Sequence, residues 1–324
     1  MPLLRFIPET TNVNFVKYRF VAFAIDGLLV LVSVISILWH GFNLGIDFTG
    51  GVLMNVKSAQ VIDISKMRAD VNSLGFPESQ LQYAGGGDCD KPVNSCVMIR
   101  VQPKDIKNLK AGTDQNEADQ AVVSAIKGKL GSSVQYRSTE VVGPKVSGEL
   151  FIKGFEALGG AIALMLLYLW FRFGLQQGLG AVLAVFHDIV LTLGLLSLLQ
   201  IEFSMTSIAA LLTVIGYSMN EKVITFDRLK ENLKKFRRTP LADVINLSEN
   251  ERWSRTLITG TTAFLALGGM LFLSGPSLFP LAFTMVFGIV IGTYSSIYVA
   301  LPVLLLWGVK RGEEDAVPLK PQRT

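Results

Sequence analysis

The sequence predicts a polytopic α-helical membrane protein with six spanning helices and one folded α+β domain held outside the cytoplasm. Three observations carry that reading. Half of the 324 residues are apolar. The apolar residues gather in six stretches: 20–39, 155–171, 179–199, 203–226, 256–273 and 281–307. Each comes near or above the roughly 20 residues that cross a bilayer at about 1.5 Å rise per residue. Between the first two stretches, residues 41–153 are of mixed polarity and have the shorter periodicities of a folded domain.

Charge placement sets the expected orientation. The net charge is +4, but its distribution decides more than its sum. Arg5, Lys17 and Arg19 precede the first span, and Arg172 falls in the short turn after the second. Arg228, Lys230, Lys234, Lys235, Arg237, Arg238, Arg252 and Arg255 lie between spans four and five. Lys310, Arg311, Lys320 and Arg323 follow the last span. The opposite turns, around 200–202 and 274–280, have neither Lys nor Arg. The positive-inside rule then places both termini in the cytoplasm. The expected division is a cytoplasmic N-terminus (1–19), a first span (20–40) and an external, periplasmic domain (41–153). Spans two to six (154–307) follow, with a cytoplasmic loop at 227–255, and a cytoplasmic tail (308–324) ends the chain. The basic loop is read as a topology and lipid-contact element, not a nucleic-acid site. The first span is read as an uncleaved anchor in the inner membrane. It is long for a signal peptide, and His40-Gly41-Phe42-Asn43 is no small-residue cleavage site.

The external segment alternates as a strand at 52–57 and has helical spacing at 63–74, with Asp63 or Ser65 as cap and Gly75 as stop. Strands are expected at 80–84 and 96–101, a helix at 116–130 and a last strand at 134–142. That order, β-α-β-β-α-β, is the ferredoxin-like split arrangement. Cys89 and Cys96 are the two cysteines. They either close the base of a hairpin as a disulfide in an oxidising compartment or remain thiols. Two cysteines without nearby histidines do not make a metal site. Gly143 and Pro144 stop the last strand. The run Gly45-Ile46-Asp47-Phe48-Thr49-Gly50-Gly51 joins the first span to the first strand, and its paired glycines allow close backbone approach. No flexible linker intervenes, so a defined domain orientation is expected.

Within the spans, Gly288, Gly292 and Ser296 make a small-residue stripe for helix packing, and Gly260, Gly268 and Gly269 are assigned the same work. Intramembrane charges are costly and are presumed functional. His187 and Asp188 fall mid-span, and Asn220, Glu221 and Lys222 fall in the cytoplasmic third of span four. Successive residues on a helix lie about 100° apart, so Glu221 and Lys222 cannot address one neighbour. Lys222 is expected to snorkel to the headgroups, with Glu221 facing the bundle and Arg255 as its counter-charge. The alternative is a static buried ion pair that fixes register. His187 is either a proton-path group or a packing residue. Asp26 is expected to reach the interface beside Lys17 and Arg19.

Five segments in order carry a resemblance: GIDFTGG at 45–51, Val142-Gly143-Pro144-Lys145-Val146, Phe186-His187-Asp188, LLTVIGYSMNEKVITFDRLKE at 211–231 and SRTLITGTT at 254–262. Together they resemble the SecF members of the SecD/SecF protein-export family. The resemblance implies an RND-like bundle that partners a SecD-like subunit beside the SecYEG channel. Such a protein assists a translocating preprotein with the proton-motive force, using protons and no other cofactor. It also implies proton-coupling roles for Glu221 and Arg255. Glu221 stands where the family usually has Asp, and Lys222 where it usually has a small hydroxyl residue. Rival readings are half of an RND-like small-molecule or lipid exporter and an uncoupled assembly factor. An enzyme is disfavoured, because no nucleophile–base set is present.

Overall fold

A computed structural model describes residues 11–76, 79–84, 89, 92–102, 115–273 and 278–308. The glycine run at 85–88 and the basic residues Arg5, Lys310, Arg311, Lys320 and Arg323 lie outside them. Five helices among the described residues are long and apolar enough to cross a membrane: Val16–His40, Lys145–Gly174, Gln176–Leu198, Leu241–Leu273 and Phe279–Leu306. A further helix, α6 (Met205–Lys235), packs at their centre. Asn220, Glu221 and Lys222 lower its apolar character, which is why it stands apart from the five.

Helix α1 (Arg19–His40) leads through a single turn, α2 (Ile46–Thr49), into β1 (Gly51–Lys57). Helix α3 (Ile64–Ser73) follows, with the Asp63 carboxylate accepting from the Ser65 and Lys66 amides as its cap. Then come β2 (Gln80–Tyr83), β3 (Cys96–Val101), α4 (Gln115–Leu130) and β4 (Gln135–Val142). The sheet is antiparallel in the order β2-β3-β1-β4. Met54 pairs with Ile99, and Val52 with Val101. These residues join Val71 of α3 and Val122 and Ile126 of α4 in one apolar core. The expected element order is therefore present. Cys89 and Cys96 are disulfide-bonded.

The paired glycines have a specific cause. Gly50 and Gly51 both take positive φ, 72° and 115°. A Cβ on Gly51 would overlap the Val101 carbonyl oxygen. The turn into β1 thus needs both a left-handed backbone and the absence of a side chain.

Gly143 caps α5 (Pro144–Leu198) and Pro144 takes its first turn. The helix therefore begins about ten residues before the expected end of the external segment, and no loop separates sheet from bundle. It breaks at Gly174, where φ is 74°, so Arg172 ends the first arm rather than occupying a turn. The segment 227–255 is also not a loop. Helix α6 continues to Lys235, and α7 (Leu241–Leu273) begins after five intervening residues. Leu229, Leu233, Val244 and Ile245 are buried between the two. Asn232 donates to Ser248 Oγ at 3.0 Å and to Glu251 at 2.6 Å, and Arg228 binds the same Glu251 at 2.7 Å. Those polar residues look like a loop in sequence, but they zip a helical hairpin together.

Helix α8 (Phe279–Ser295) ends in a π-helical turn, Ser296–Ala300, before the short α9 (Leu304–Trp307). Its small residues face α6. A Cβ on Gly288 would overlap Val214, and one on Gly292 would lie 3.3 Å from Ser218 Cβ. Gly268 and Gly269 meet open space, and Gly260 meets Tyr217 Oη at 3.7 Å and Thr293 Oγ1 at 3.8 Å, both ordinary contact distances. The close packing expected of that second set is therefore absent at Gly268 and Gly269 within this chain, while Gly260 lies in ordinary contact with α6 and α8. Gly288→Leu is accordingly expected to lower stability by more than about 1–3 kcal/mol through overpacking. Gly269→Ala is expected to be neutral or stabilising by a few tenths of a kcal/mol. Thermal unfolding in detergent compares the two.

Candidate functional site

The buried charges of the bundle centre on α6. Lys222 is fully buried and points inward, not to the headgroups. Its Nζ lies 2.6 Å from Asp188 Oδ2 on α5, 2.9 Å from Ser218 Oγ, and 2.7 Å from Ser295 Oγ and 3.2 Å from the Gly292 carbonyl on α8. Ser218 also donates to Asp188 Oδ2 at 2.5 Å. An anion one helix away and three neutral acceptors outweigh the headgroups, because the ammonium finds every donor a partner where it stands. The π-turn at Ser296–Ala300 follows immediately on Ser295. Such turns commonly mark functional positions.

Glu221 faces the other way, as the helical angle requires. Its Oε1 accepts from Arg252 Nη1 at 2.8 Å and from Thr256 Oγ1 at 2.5 Å. Arg252 donates to Thr256 as well, at 2.8 Å. The counter-charge is thus Arg252, one turn before the expected residue. Arg255 is exposed. The reason is angular: Arg252 and Thr256 share a face at i,i+4, whereas Arg255 is turned about 100° from Thr256. Arg252 has a second partner that the sequence reading missed. Its Nη2 lies 2.6 Å from Glu249 Oε2, and Glu249 is completely buried. The i,i+3 spacing of Glu249 and Arg252 was the available signal.

The remaining expected residues divide. His187 sits between Asp188, 3.1 Å from Nδ1, and Asp26, 3.6 Å from Nε2. Asp26 is therefore inside the bundle and not at the interface beside Lys17 and Arg19. Its place on α1 faces α5, where Gly194 lets Ser33 approach closely. Asn220 is exposed and joins neither cluster. Arg228, one face with Glu221 by spacing, binds Glu231 and Glu251 instead.

The joint between sheet and bundle meets the other end of α6. Gly45 N–H donates to the Phe203 carbonyl at 2.8 Å, and Phe203 N–H to the Asn43 carbonyl at 2.8 Å. Asp47 Oδ2 accepts the Met205 amide at 2.8 Å, so its carboxylate serves the N-terminus of α6. The Phe48 ring lies 5.8 Å from that of Phe203 and 5.7 Å from that of Phe151 on α5. Gly45 is small because a Cβ there would lie 2.7 Å from Glu202 Oε1. Arg100 of β3 completes the joint with an ion pair to Glu202 at 2.7 Å and a bond to the Leu44 carbonyl at 3.2 Å.

Burial holds the Glu202 carboxyl above the ordinary glutamate range, against the pull of Arg100, and Asp47 adds to the rise. Burial, then Asp47 and Glu202, raise Glu140 on β4 in the same way. An acid raised in the folded state contributes stability at low pH, and that contribution is lost as pH rises through its folded value. The joint is therefore expected to tighten as pH falls from neutral toward the ordinary glutamate range. Thermal unfolding of the intact chain across that window should show it, and Glu202→Gln should flatten the slope.

Two family models match this chain. The model described as "Protein export membrane protein SecD/SecF, C-terminal" matches residues 122–310, and the "SecD/SecF GG Motif" model matches residues 35–60. The latter spans the Gly45–Gly51 joint. The chain is 38% identical over 311 residues to the protein translocase subunit SecF of Cereibacter sphaeroides, covering 95% of this chain and 94% of that protein. It is 38% identical over 318 residues to that of Rhodobacter capsulatus, covering 97% and 95%. A relative from Rickettsia bellii is 33% identical over 311 residues. Among solved structures, SecDF of Thermus thermophilus, a translocon-associated membrane protein, superposes with a TM-score of 0.78 at 32% identity over 93% of this chain. SecDF in its super-membrane-facing form gives 0.61 at 29% identity over 94% of this chain. This chain spans 39% and 40% of those two SecDF chains. The joint, the bundle and the matching relatives along almost the whole length lead to one conclusion: this polytopic helical membrane protein belongs to the SecF side of the SecD/SecF protein-export family.

Proposed function

We propose that this chain, an accessory Sec translocase subunit and not an enzyme, couples proton passage to movement of its sheet domain. The observation that carries the proposal is the layout of α6. One rigid helix holds Glu221 and Lys222 in buried ion pairs at its middle and the Asp47 joint at its N-terminus. From Met205 to Glu221 is roughly 24 Å along the axis at 1.5 Å per residue. A change in charge at Glu221, Arg252 and Glu249 therefore bears on the joint through a stiff element. One charge crossing 100 mV gains about 2.3 kcal/mol. That is enough to bias a two-state motion.

In this reading α6 also crosses the membrane, as the fourth of six spans in an RND-like bundle, and residues 41–153 form a ferredoxin-like domain on the periplasmic side of the inner membrane. The strand order β2-β3-β1-β4 supports that assignment. Both termini are cytoplasmic. The partner is a SecD-like subunit, because the solved SecDF chains are more than twice this chain's length. The complex acts on a translocating preprotein beside the SecYEG channel, with lipid around the bundle and protons as the coupling ion. Glu221→Gln removes the exchangeable carboxylate and keeps its shape. It is expected to insert and to co-purify with the SecD-like partner, yet to lose proton-motive-force-dependent export in cells lacking the native protein. Normal export by that variant would refute coupling through Glu221.

A further inference from the structure

Seven ionisable side chains are nearly or fully buried in the bundle among the described residues. They are Asp26, Asp188, Glu221 and Glu249, then Lys222 and Arg252, and finally His187. Four carboxylates thus face one lysine and one arginine. Helix α6 separates them into two groups. On one side stand Glu221, Arg252 and Glu249. On the other stand Asp26, His187, Asp188 and Lys222. In the second group Lys222 neutralises one carboxylate, and Asp26 remains. An unpaired buried carboxylate is too costly to persist, so a proton must be taken up within the group.

The ring geometry says where that proton resides. His187 presents Nδ1 to Asp188 Oδ1 at 3.1 Å and Nε2 to Asp26 Oδ1 at 3.6 Å. Ionised carboxylates only accept hydrogen bonds, and a neutral imidazole has one N–H and one bare lone pair. With both carboxylates ionised, either neutral tautomer would aim that lone pair at an anion, and only a proton on Asp26 itself would leave the ring neutral. A doubly protonated ring offers an N–H to each. The other groups facing the site are Tyr294 of α8, whose hydroxyl neighbours Asp26, and Tyr298, whose ring centroid lies 5.2 Å from that of Tyr294. Neither supplies a charge at neutral pH. His187 Nε2 and Asp26 Oδ1 stand 3.6 Å apart, an ion-pair separation and not a formed hydrogen bond.

We propose that His187 is held as an imidazolium between Asp26 and Asp188, forming a second proton-binding site separate from Glu221. The proposal goes beyond the coupling reading above and does not need it. The chain has two histidines, His40 and His187. In a His40→Gln background, nitrogen-15 histidine labelling of the full chain in lipid nanodiscs leaves a single ring to observe. The expected spectrum at neutral pH is that of an imidazolium. Asp26→Asn removes the surplus negative charge and is expected to convert the ring to a neutral tautomer. Glu221→Gln is expected to leave the imidazolium in place. A neutral ring in the His40→Gln parent overturns the proposal, even if Asp26→Asn fails to fold. So does an imidazolium that survives Asp26→Asn, and loss of the imidazolium in Glu221→Gln overturns the separateness of the site. The spectra involve no transport. Normal export by Glu221→Gln would therefore refute the coupling reading and leave this one untouched.

Discussion

Replacing Arg252 by alanine is expected to destabilise the chain by about 3–5 kcal/mol and to abolish proton-driven export. Arg252 stands between Glu221 at 2.8 Å and Glu249 at 2.6 Å, and its removal leaves both carboxylates buried without a cation. Breaking a buried pair costs that much because the remaining charge has neither solvent nor partner. Thr256 adds to the loss, since its hydroxyl bonds both Arg252 and Glu221. Arg255→Ala is the control. It lies on the exposed face of the same helix, and surface substitutions usually stay within about 0.5 kcal/mol. Thermal unfolding of both variants, with export measured in cells lacking the native protein, compares them. Equal destabilisation by the two would refute the assignment of Arg252 as the counter-charge.

The second large effect is expected at Lys222. Lys222→Met keeps most of the side-chain length but leaves Asp188 facing no lysine and strips the donor from Ser295 and the Gly292 carbonyl. A loss of about 3–5 kcal/mol is again the expectation. Here the neighbour offers a rescue. Adding Asp188→Asn removes the surplus negative charge, so the double variant should be more stable than Lys222→Met alone. Contacting residues commonly couple by about 0.5–3 kcal/mol in such cycles. Simple additivity would show that Lys222 and Asp188 do not act as a pair.

Much of the architecture was legible because it rests on local rules. Asp63 at the head of an apolar-periodic run caps α3, as its type and position foretell. The glycine pair at Gly50 and Gly51 marked a tight approach, and β1 begins there against β3. The 100° between Glu221 and Lys222 required two different neighbours, and α7 and α5 are those neighbours. The errors came where a partner, not a period, decides. The run from 227 to 255 is polar, so it reads as loop; its charges pair across a hairpin and extend both helices. That extension sets the angular phase of α7 against α6, and the phase selects Arg252 over Arg255.

Sequence by itself determined the membrane class, the order of the sheet elements, the joint at Gly45–Gly51 and the presence of charges too costly to be idle. Those follow from transfer energies, backbone sterics and helical angle, which each residue carries with it. Only tertiary structure decided which charge meets which. Lys222 turned from the headgroups to Asp188, Glu249 entered as a second partner of Arg252, and Asp26 moved from the interface to face His187. The physical reason is that a buried charge is placed by the free energy of its solvation. Inside a bundle that solvation is supplied by side chains distant in sequence, which no local pattern specifies.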